Sequence, residues 1–369
     1  MPLSLPTRFC LRSSAAIACV LSLAPGFPTD SRAAPPAPAV DLLSVEETDA
    51  ALEAIWRKTP EPGQRSPESA KRAALQAYLD RLGPGTGLFT EPSLELNEAD
   101  FPPLKFHSEL LPGKIGYVRL GRLHADLAPR LESTLRDFAQ LGARHLILDL
   151  RATPAHGTLA DAADLAGCFV PKGTPLFSQR TSGETSAPLL GKRSPVARLR
   201  MLLLTGPRTA GPVEAFAAVL HVRAGATLLG SRTPGQAADF EQVPLQNSRF
   251  LRLPARLAVL PERPGLFAKG LQPDVPCAVQ QEASDAALLQ AATAGRIAPL
   301  LHETERPRMN EAALVAGRNP ELEVWIQNQI RKKQGVAPQP PTVKDEALRL
   351  AVDFVTAIEA LDSSAAALP

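Results

Sequence analysis

This sequence has few aromatic side chains and almost no excess of one charge. Phe, Trp and Tyr make up 5% of its 369 residues, and 40 Lys and Arg stand against 38 Asp and Glu, a formal net charge of +2. Proteins that bind nucleic acid gather basic side chains on one face and often add aromatic platforms. The basic residues here are scattered, so we expect no nucleic-acid partner.

Motifs that hold metal ions are also missing. The chain has four cysteines and six histidines but no Cys-x-x-Cys or His-Glu-x-x-His spacing, and such spacings are typical of zinc sites. We expect no metal ion and no other cofactor. If Cys10 and Cys19 leave with an export signal, Cys168 and Cys277 remain, either as two buried thiols or as a disulfide, which an oxidising compartment permits.

Long hydrophobic runs are absent, and the N-terminus holds a short one, Ala15 to Ala24. Its length as a helix is about 15 Å, half of the hydrocarbon core of a bilayer, so it predicts no spanning segment. Arg8 and Arg12 precede it and small residues at Ala33-Ala34 offer a cleavage site, which is the pattern of a signal peptide. We predict a signal peptide at residues 1–35 and an exported protein, in the periplasm, outside the cell or at its surface.

Residues 41–90 are predicted to be an N-terminal helical segment. Ser44 and Glu47 form a capping box at the start of a first helix, and a second helix runs from Pro67 to Leu82. The polar, proline-bearing residues 91–112 are predicted to be a linker.

The middle of the chain alternates strands and helices. Apolar runs such as Leu146 to Leu150 are typical of strands buried on both faces. This alternation predicts an α/β fold with parallel strand pairing. The predicted strands are 115–120, 146–150, 201–205, 227–229, 240–244, 250–253 and 255–260, and the predicted helices are 127–141, 158–169 and 212–224.

Residues 281–369 are predicted to be a helical C-terminal extension. Asn319-Pro320 is a favoured helix start, and Thr342 with Asp345 opens the last helix. We expect these helices to cover a groove or to form a homo-oligomer interface. The apolar face of the last helix consists of Leu348, Val352, Val355, Ile358 and Leu361.

Several motifs occur in an order that resembles one enzyme family. A Gly-x-Ile-Gly-Tyr strand, an Ile-Leu-Asp-Leu-Arg strand and a Pro-Lys-Gly-Thr-Pro turn lie within 113–177. The segment 202–236, a Gly-Leu-x-Pro-Asp-Val turn at 270–275 and a helix with its turn at 75–92 complete the series. Together they resemble the tail-specific (carboxy-terminal processing) serine proteases, over residues 41–90 and 113–280.

The resemblance implies a fold, a substrate class and a catalytic pair. The fold would be a crotonase/ClpP-like core of stacked β-β-α units at residues 113–280, and the partner would be a peptide or protein segment. The family's nucleophile is the third residue of a Ser-Ala-Ser run at a helix N-terminus, which matches Gly211 here. Its lysine base matches Gln236, 25 residues later, as in the family.

This pair of substitutions predicts a degenerate member of the family. A Ser–Lys dyad works because a neutral lysine takes the proton of the hydroxyl that attacks. Glycine has no such oxygen and a glutamine amide has no useful basicity. We expect no catalytic residue at Gly211 or Gln236, and we expect Arg151, Gly157, Ala210 and Pro212 to line a vestigial binding cleft.

Two further departures weaken the likeness to an active protease. The family's Asn-Pro-Gly-Gly turn after the Asp-Leu-Arg strand is replaced by 152–157, where side chains restrict the positive φ that paired glycines allow. Only 24 residues separate Phe89 from Lys114, and a PDZ module needs about 80. We expect that module to be absent.

Three functions follow from these residues. The first is an exported pseudoenzyme that binds peptide or protein segments. The second is an active serine-type peptidase with a displaced catalytic set, in which His156 or Thr209 acts. The third is an acyl-CoA enzyme, suggested by fold-level kinship with crotonases alone. In the first reading, Thr209 serves as a cap hydroxyl for the helix that follows it.

Overall fold

The computed structural model describes residues 44–58, 67–90, 101–102, 104–277, 280–301, 326 and 344–366. The chain divides into two compact units, Met1–Lys71 and Arg72–Pro369. The predicted signal peptide, half of the predicted linker, the helix start at Asn319-Pro320 and the predicted cap Thr342 lie outside the described residues.

The first two helices are α1 (Val45–Lys58) and α2 (Pro67–Leu82). The predicted capping box at the start of α1 is formed. The Glu47 N–H donates to Ser44 Oγ at 3.2 Å, and the Ser44 N–H donates to Glu47 Oε2 at 2.8 Å. The short loop after α2 leads directly into a strand.

A six-stranded sheet forms the centre of the second unit. Its strand order is β11-β8-β7-β4-β3-β2, and all pairs are parallel except β2 with β3. The parallel pairing follows from the alternation of strands with crossover helices, and the α/β fold class is confirmed. The strands are β2 (His107–Leu111), β3 (Ile115–Arg119), β4 (His145–Asp149), β7 (Arg200–Thr205), β8 (Thr227–Gly230) and β11 (Val275–Pro276).

Helices cover both faces of this sheet because its strands are apolar on both. On one face, Val118, Leu148 and Leu203 pack with α3 (Leu127–Gln140), α4 (Leu159–Ala166) and α5 (Pro212–Ala224). On the other, Tyr117, Ile147 and Leu204 pack with α7 (Gln281–Ala294) and α8 (Glu346–Ala366). In chain order, the short kinked helix α6 (Leu266–Lys269) comes between α5 and α7.

The apolar face of α8 is therefore used within the chain. Leu348 and Val355 are buried against the large sheet. Leu361, at the far end of the same predicted face, is exposed, so an oligomer interface that uses this end of the helix stays a prediction.

A second, antiparallel sheet lies beside the first. Its order is β1-β10-β5-β6, with β9 paired to β10. The two strands predicted at 250–253 and 255–260 are one strand, β10, because Pro254 is accommodated at a bulge next to Arg256. The strands are β1 (Gly87–Phe89), β5 (Ser178–Thr181), β6 (Glu184–Thr185), β9 (Ala238–Leu245) and β10 (Arg249–Val259).

The predicted linker contains a strand. Residues 107–111 form β2 at the edge of the large sheet, where Ser108 is exposed and Glu109 accepts the Ile297 N–H at 2.6 Å. This position explains why their composition reads as a linker.

Candidate functional site

The candidate site lies where four parallel strands end. The C-terminal residues of β3, β4, β7 and β8 meet at one edge of the large sheet, because Asp149 pairs with Arg119 on one side and Leu204 on the other. Ligands of open α/β sheets bind at this edge. The turns 150–158, 206–211 and 231–237 that leave these strands carry every predicted site residue except Pro212, which is the first residue of the next helix.

Gly211 begins helix α5 in a conformation that favours glycine. Its φ is 78° and its ψ is −144°. A Cβ added to it would lie 2.8 Å from Ala155 Cα and 2.9 Å from Ala155 Cβ. Ala155 therefore fills the space that a serine side chain would need, and it comes from the same turn that departs from the family pattern.

Glu214 forms hydrogen bonds with both Gln236 and Gly211. The Glu214 carboxylate accepts the N–H of Gln236 at 2.6 Å and that of Gly235 at 2.8 Å, and it accepts the Thr233 hydroxyl. The Glu214 N–H donates to the Gly211 carbonyl at 3.0 Å. Both predicted dyad positions thus bond to Glu214, Gln236 through the Glu214 carboxylate and Gly211 through the Glu214 backbone N–H.

Glu214 is a residue that the sequence analysis missed. It is fully buried in the first turn of α5. Burial raises its pKa to about 7, while the hydroxyl of Thr233 and the nearby backbone N–H groups act in the opposite direction. The signal was present in the sequence, because a single carboxylate in an otherwise apolar helix needs hydrogen-bond partners when it is buried.

Thr209 does not cap α5, so that prediction was wrong. Its hydroxyl donates to the Leu150 carbonyl at 2.9 Å and accepts the Gly206 N–H at 3.0 Å. The residue is fully buried. Its hydroxyl closes the turn after β7, and its proton is committed to a backbone carbonyl.

The turn after β4 is shaped by packing. Gly157 has a φ of 79°, and a Cβ there would lie 2.7 Å from Leu123 Cβ. The Ala210 N–H donates to the Thr153 carbonyl at 3.2 Å, so this N–H is not free to bind a ligand. Half-buried His156 has a lowered pKa because of burial and the nearby charge of Arg122.

Arg151 is part of a buried ion cluster rather than a cleft. Its guanidinium bonds both oxygens of Asp149, at 3.0 and 2.7 Å, and both oxygens of Asp345, each at 2.8 Å. A fifth bond reaches Ser284 Oγ at 3.3 Å. All five N–H donors are engaged, and none is left for the ligand that the sequence analysis assigned to Arg151.

The same cluster sets the protonation of its members. Burial alone would raise the pKa of Asp149, but the charge and hydrogen bonds of Arg151 lower it overall. The Tyr117 hydroxyl donates to Asp149 Oδ2 at 2.8 Å, and burial together with that carboxylate raises its pKa. The cluster stays charged and fixes the end of β4 where the candidate site begins.

The Gln236 turn is enclosed on two sides. A Cβ on Gly85 would lie 3.0 Å from Gln236 Cδ and 2.9 Å from Phe240 Cζ. On the other side, the Ala268 N–H donates to the Gly235 carbonyl at 2.8 Å. Residues from the loop after α2 and from α6 therefore meet at the former base position.

Both described cysteines are free thiols; Cys168 is buried, as the thiol alternative predicted, and Cys277 is only partly buried. Burial raises the pKa of Cys168 to about 12. Within the described ranges, no three His, Cys, Asp or Glu side chains group as metal ligands. No helix in that part of the chain is long and apolar enough to cross a membrane.

Comparisons with known proteins show similarity to one family of peptidases. Residues 114–277 match the model of peptidase family S41. The carboxy-terminal processing protease CtpA of Bacillus subtilis (strain 168) is 21% identical over 205 residues, covering 56% of this chain and 43% of that protein. The chloroplastic carboxyl-terminal-processing peptidase 1 of Arabidopsis thaliana is 23% identical over 161 residues, covering 43% and 33%.

One solved structure matches part of the chain at low identity. The putative peptidase from Parabacteroides merdae has a TM-score of 0.45 and 16% identity, with 68% of this chain and 85% of that chain covered. The match places residues 114–277, fewer than half of the chain, with peptidase family S41, the tail-specific protease family. The chain spans less than half of the length of the two curated relatives named above.

Proposed function

We propose that this chain is an exported, non-catalytic member of family S41 that binds a peptide or protein segment. The observation that carries the proposal is the packing of Ala155 against Gly211, at 2.8 Å from the place of a Cβ. A nucleophile lost by a single substitution would leave a space. Here the neighbouring turn occupies it, as expected of a site that no longer needs an attacking group.

The second half of the dyad supports the same proposal. Gln236 supplies a neutral amide where the family's lysine would take a proton, and the carboxylate that touches its backbone is Glu214. A peptide or protein segment is the ligand class because the family acts on such substrates. The curated relatives are named as proteases, and binding without cleavage is what remains when their chemistry is removed.

Hydrolysis by a displaced catalytic set is the second candidate. One observation favours it: burial lowers the pKa of His156, so its imidazole is neutral and can accept a proton at pH 7. The hydroxyl proposed beside it, that of Thr209, bonds the Leu150 carbonyl instead. We therefore rank binding above hydrolysis.

The test is binding of a labelled unstructured protein, such as casein, to the chain without residues 1–35. We expect fluorescence anisotropy to rise on mixing, and the casein to be recovered intact. Ala155→Arg should weaken binding at least tenfold, because its side chain enters the cleft. Ala187→Arg, at an exposed position, is the matched control. Equal affinity in both variants, or no binding by the unaltered chain, would refute the proposal.

A further inference from the structure

Arg252, in strand β10, is a buried cation with no anionic partner in the described part of the chain. Its exposed fraction is 3%, and Nη1 is buried without a hydrogen-bond partner there. Burial lowers its pKa to about 10. The guanidinium lies over the ring of Phe240, with Cζ 4.0 Å from the ring centroid.

A buried arginine without an anionic partner is unusual. Arginine is almost never fully buried unless it is paired, because its attraction to a partner must offset the loss of water. A contact with an aromatic face offsets part of that loss and satisfies no N–H donor in the plane of the guanidinium. An apolar side chain of similar length would be more stable at this position, which indicates that the charge serves to bind.

The neighbourhood contains a second unpartnered polar atom. In the register of the small sheet, Arg252 pairs with Gly87, the first residue of β1. The preceding residue, Thr86, has its Oγ1 buried without a hydrogen-bond partner among the described residues. A guanidinium and a hydroxyl are donors of the kind that hold carboxylate oxygens.

This pair of donors lies beside the former base position. Phe240, which Arg252 covers, approaches the same residue as the Gln236 side chain does, namely Gly85. One aromatic ring therefore separates the buried charge from the place of the family's lysine. The cation is positioned to act on a ligand that occupies that end of the cleft.

We propose that Arg252 and Thr86 form a carboxylate-binding site next to Gln236. The source of the carboxylate is a peptide segment, and in this respect the inference rests on the proposed function. A free organic acid offers the same chemistry, so the experiment separates the two sources.

The experiment compares the melting temperatures of the chain without residues 1–35 and of its Arg252→Met variant. The additions are sodium acetate, a peptide with acidic side chains and a free C-terminus, its fully amidated counterpart, and sodium chloride at matched ionic strength. Without ligand, we expect Arg252→Met to melt about 2–4 °C higher, because an uncompensated charge is removed. Carboxylates should raise the melting temperature of the unaltered chain and leave that of the variant unchanged.

Arg256→Met is the matched control on the same strand, because Arg256 is about half exposed and pairs with Asp239 at 2.8 Å. It should respond to carboxylates as the unaltered chain does. Stabilisation by the acidic peptide and not by its amidated form supports a peptide source. Stabilisation by acetate alone supports the site but contradicts peptide binding.

Two results would overturn the inference. The first is a lower melting temperature of Arg252→Met together with an undiminished response to carboxylates, which would make Arg252 a structural partner of Phe240. The second is no stabilisation of the unaltered chain by any carboxylate. Peptide binding that persists in Arg252→Met would leave the proposed function standing and remove only this site.

Discussion

At the scale of residues, Ala155 and Gly211 form one steric unit. The sequence shows their substitutions 56 positions apart as separate departures from the family pattern. In the structure the two residues are in contact, because a Cβ added to Gly211 would lie 2.8 Å from Ala155 Cα. A return to serine at 211 therefore requires a change at 155 as well.

Gly211→Ser is expected to destabilise the chain by two additive effects. The backbone conformation of Gly211, with φ 78° and ψ −144°, costs about 1–3 kcal/mol for a residue with a side chain, and the contact with Ala155 adds to it. Gly173→Ser is the matched control, because Gly173 has a φ of 85° and no atom within 4 Å of an added Cβ. Urea unfolding should show a larger loss for Gly211→Ser than for Gly173→Ser.

Adding Ala155→Gly to each serine variant tests whether the contact with Ala155 causes the larger loss in Gly211→Ser. It should recover part of the stability that Gly211→Ser loses and should do nothing for Gly173→Ser. Equal losses in the two serine variants, with or without Ala155→Gly, would show that the space at Gly211 is open.

Glu214 gives stability a pH dependence of defined sign. Its pKa is about 7 in the folded chain and about 4.3 in an unfolded one. The folded state thus holds the proton more tightly, so this contribution is complete below about pH 4 and is lost as the pH rises through 7. The loss amounts to about 4 kcal/mol.

The measurement is urea unfolding of the unaltered chain and of Glu214→Gln at pH 5 and pH 8. Glutamine does not titrate, so the stability of the unaltered chain relative to the variant should be greater at pH 5. A difference between the two proteins that is the same at both pH values would contradict the raised pKa.

At the scale of elements, the ion cluster at Arg151 joins strand β4 to helix α8. Asp345 precedes α8, accepts two bonds from Arg151 and also accepts the Leu348 N–H at 3.0 Å. The end of β4 leads into the turn that holds Ala155. The C-terminal helix therefore stabilises one wall of the candidate site from the opposite face of the sheet.

Asp345→Asn should cost about 1–3 kcal/mol, because the amide nitrogen cannot accept and a buried N–H of Arg151 loses its acceptor, while Asp149 still balances the charge. Asparagine still caps helices well, so the loss of the cap contributes little. Asp353→Asn is the matched control on α8: Asp353 is exposed and lies 3.9 Å from Arg349, and its loss should cost less than 1 kcal/mol. Guanidinium unfolding distinguishes the two, and similar small losses would refute a stabilising role for the cluster.

The sequence predicted the helices and strands whose apolar residues recur regularly and whose ends are marked by glycine or proline. Helix α5 begins and ends as predicted, and β3, β4, β7 and β8 agree within a residue or two, because each is a continuous apolar run. The edge strand β2 was missed because its polar residues resemble a linker. The Arg151–Asp345 pair was missed because 194 residues separate its members, and no local pattern encodes such a contact.

The candidate site was predicted in part for the same reason. Gly211 and Gln236 were found by their spacing, which is a property of the sequence. The filling of the space at Gly211 by Ala155 and the unpaired charge of Arg252 depend on packing between distant segments. These features appear only in three dimensions.

At the scale of the whole molecule, export remains a prediction from residues 1–35. Expressed in a Gram-negative host, the chain should appear in the periplasmic fraction with a new N-terminus close to Ala33-Ala34. N-terminal sequencing of that fraction is the check. A cytoplasmic protein that retains Met1 would contradict the prediction, and deletion of residues 1–35 should abolish export if it is correct.

The central claim is that the chain binds without cleaving, and mass spectrometry of an unstructured substrate tests it most directly. Reduced, alkylated casein is incubated overnight with an equimolar amount of the purified chain at pH 7 and pH 9. We predict peptide products at the level of the enzyme-free blank. New casein fragments above that level, abolished by His156→Ala or Thr209→Val, would contradict the account and show that a displaced set of residues performs hydrolysis.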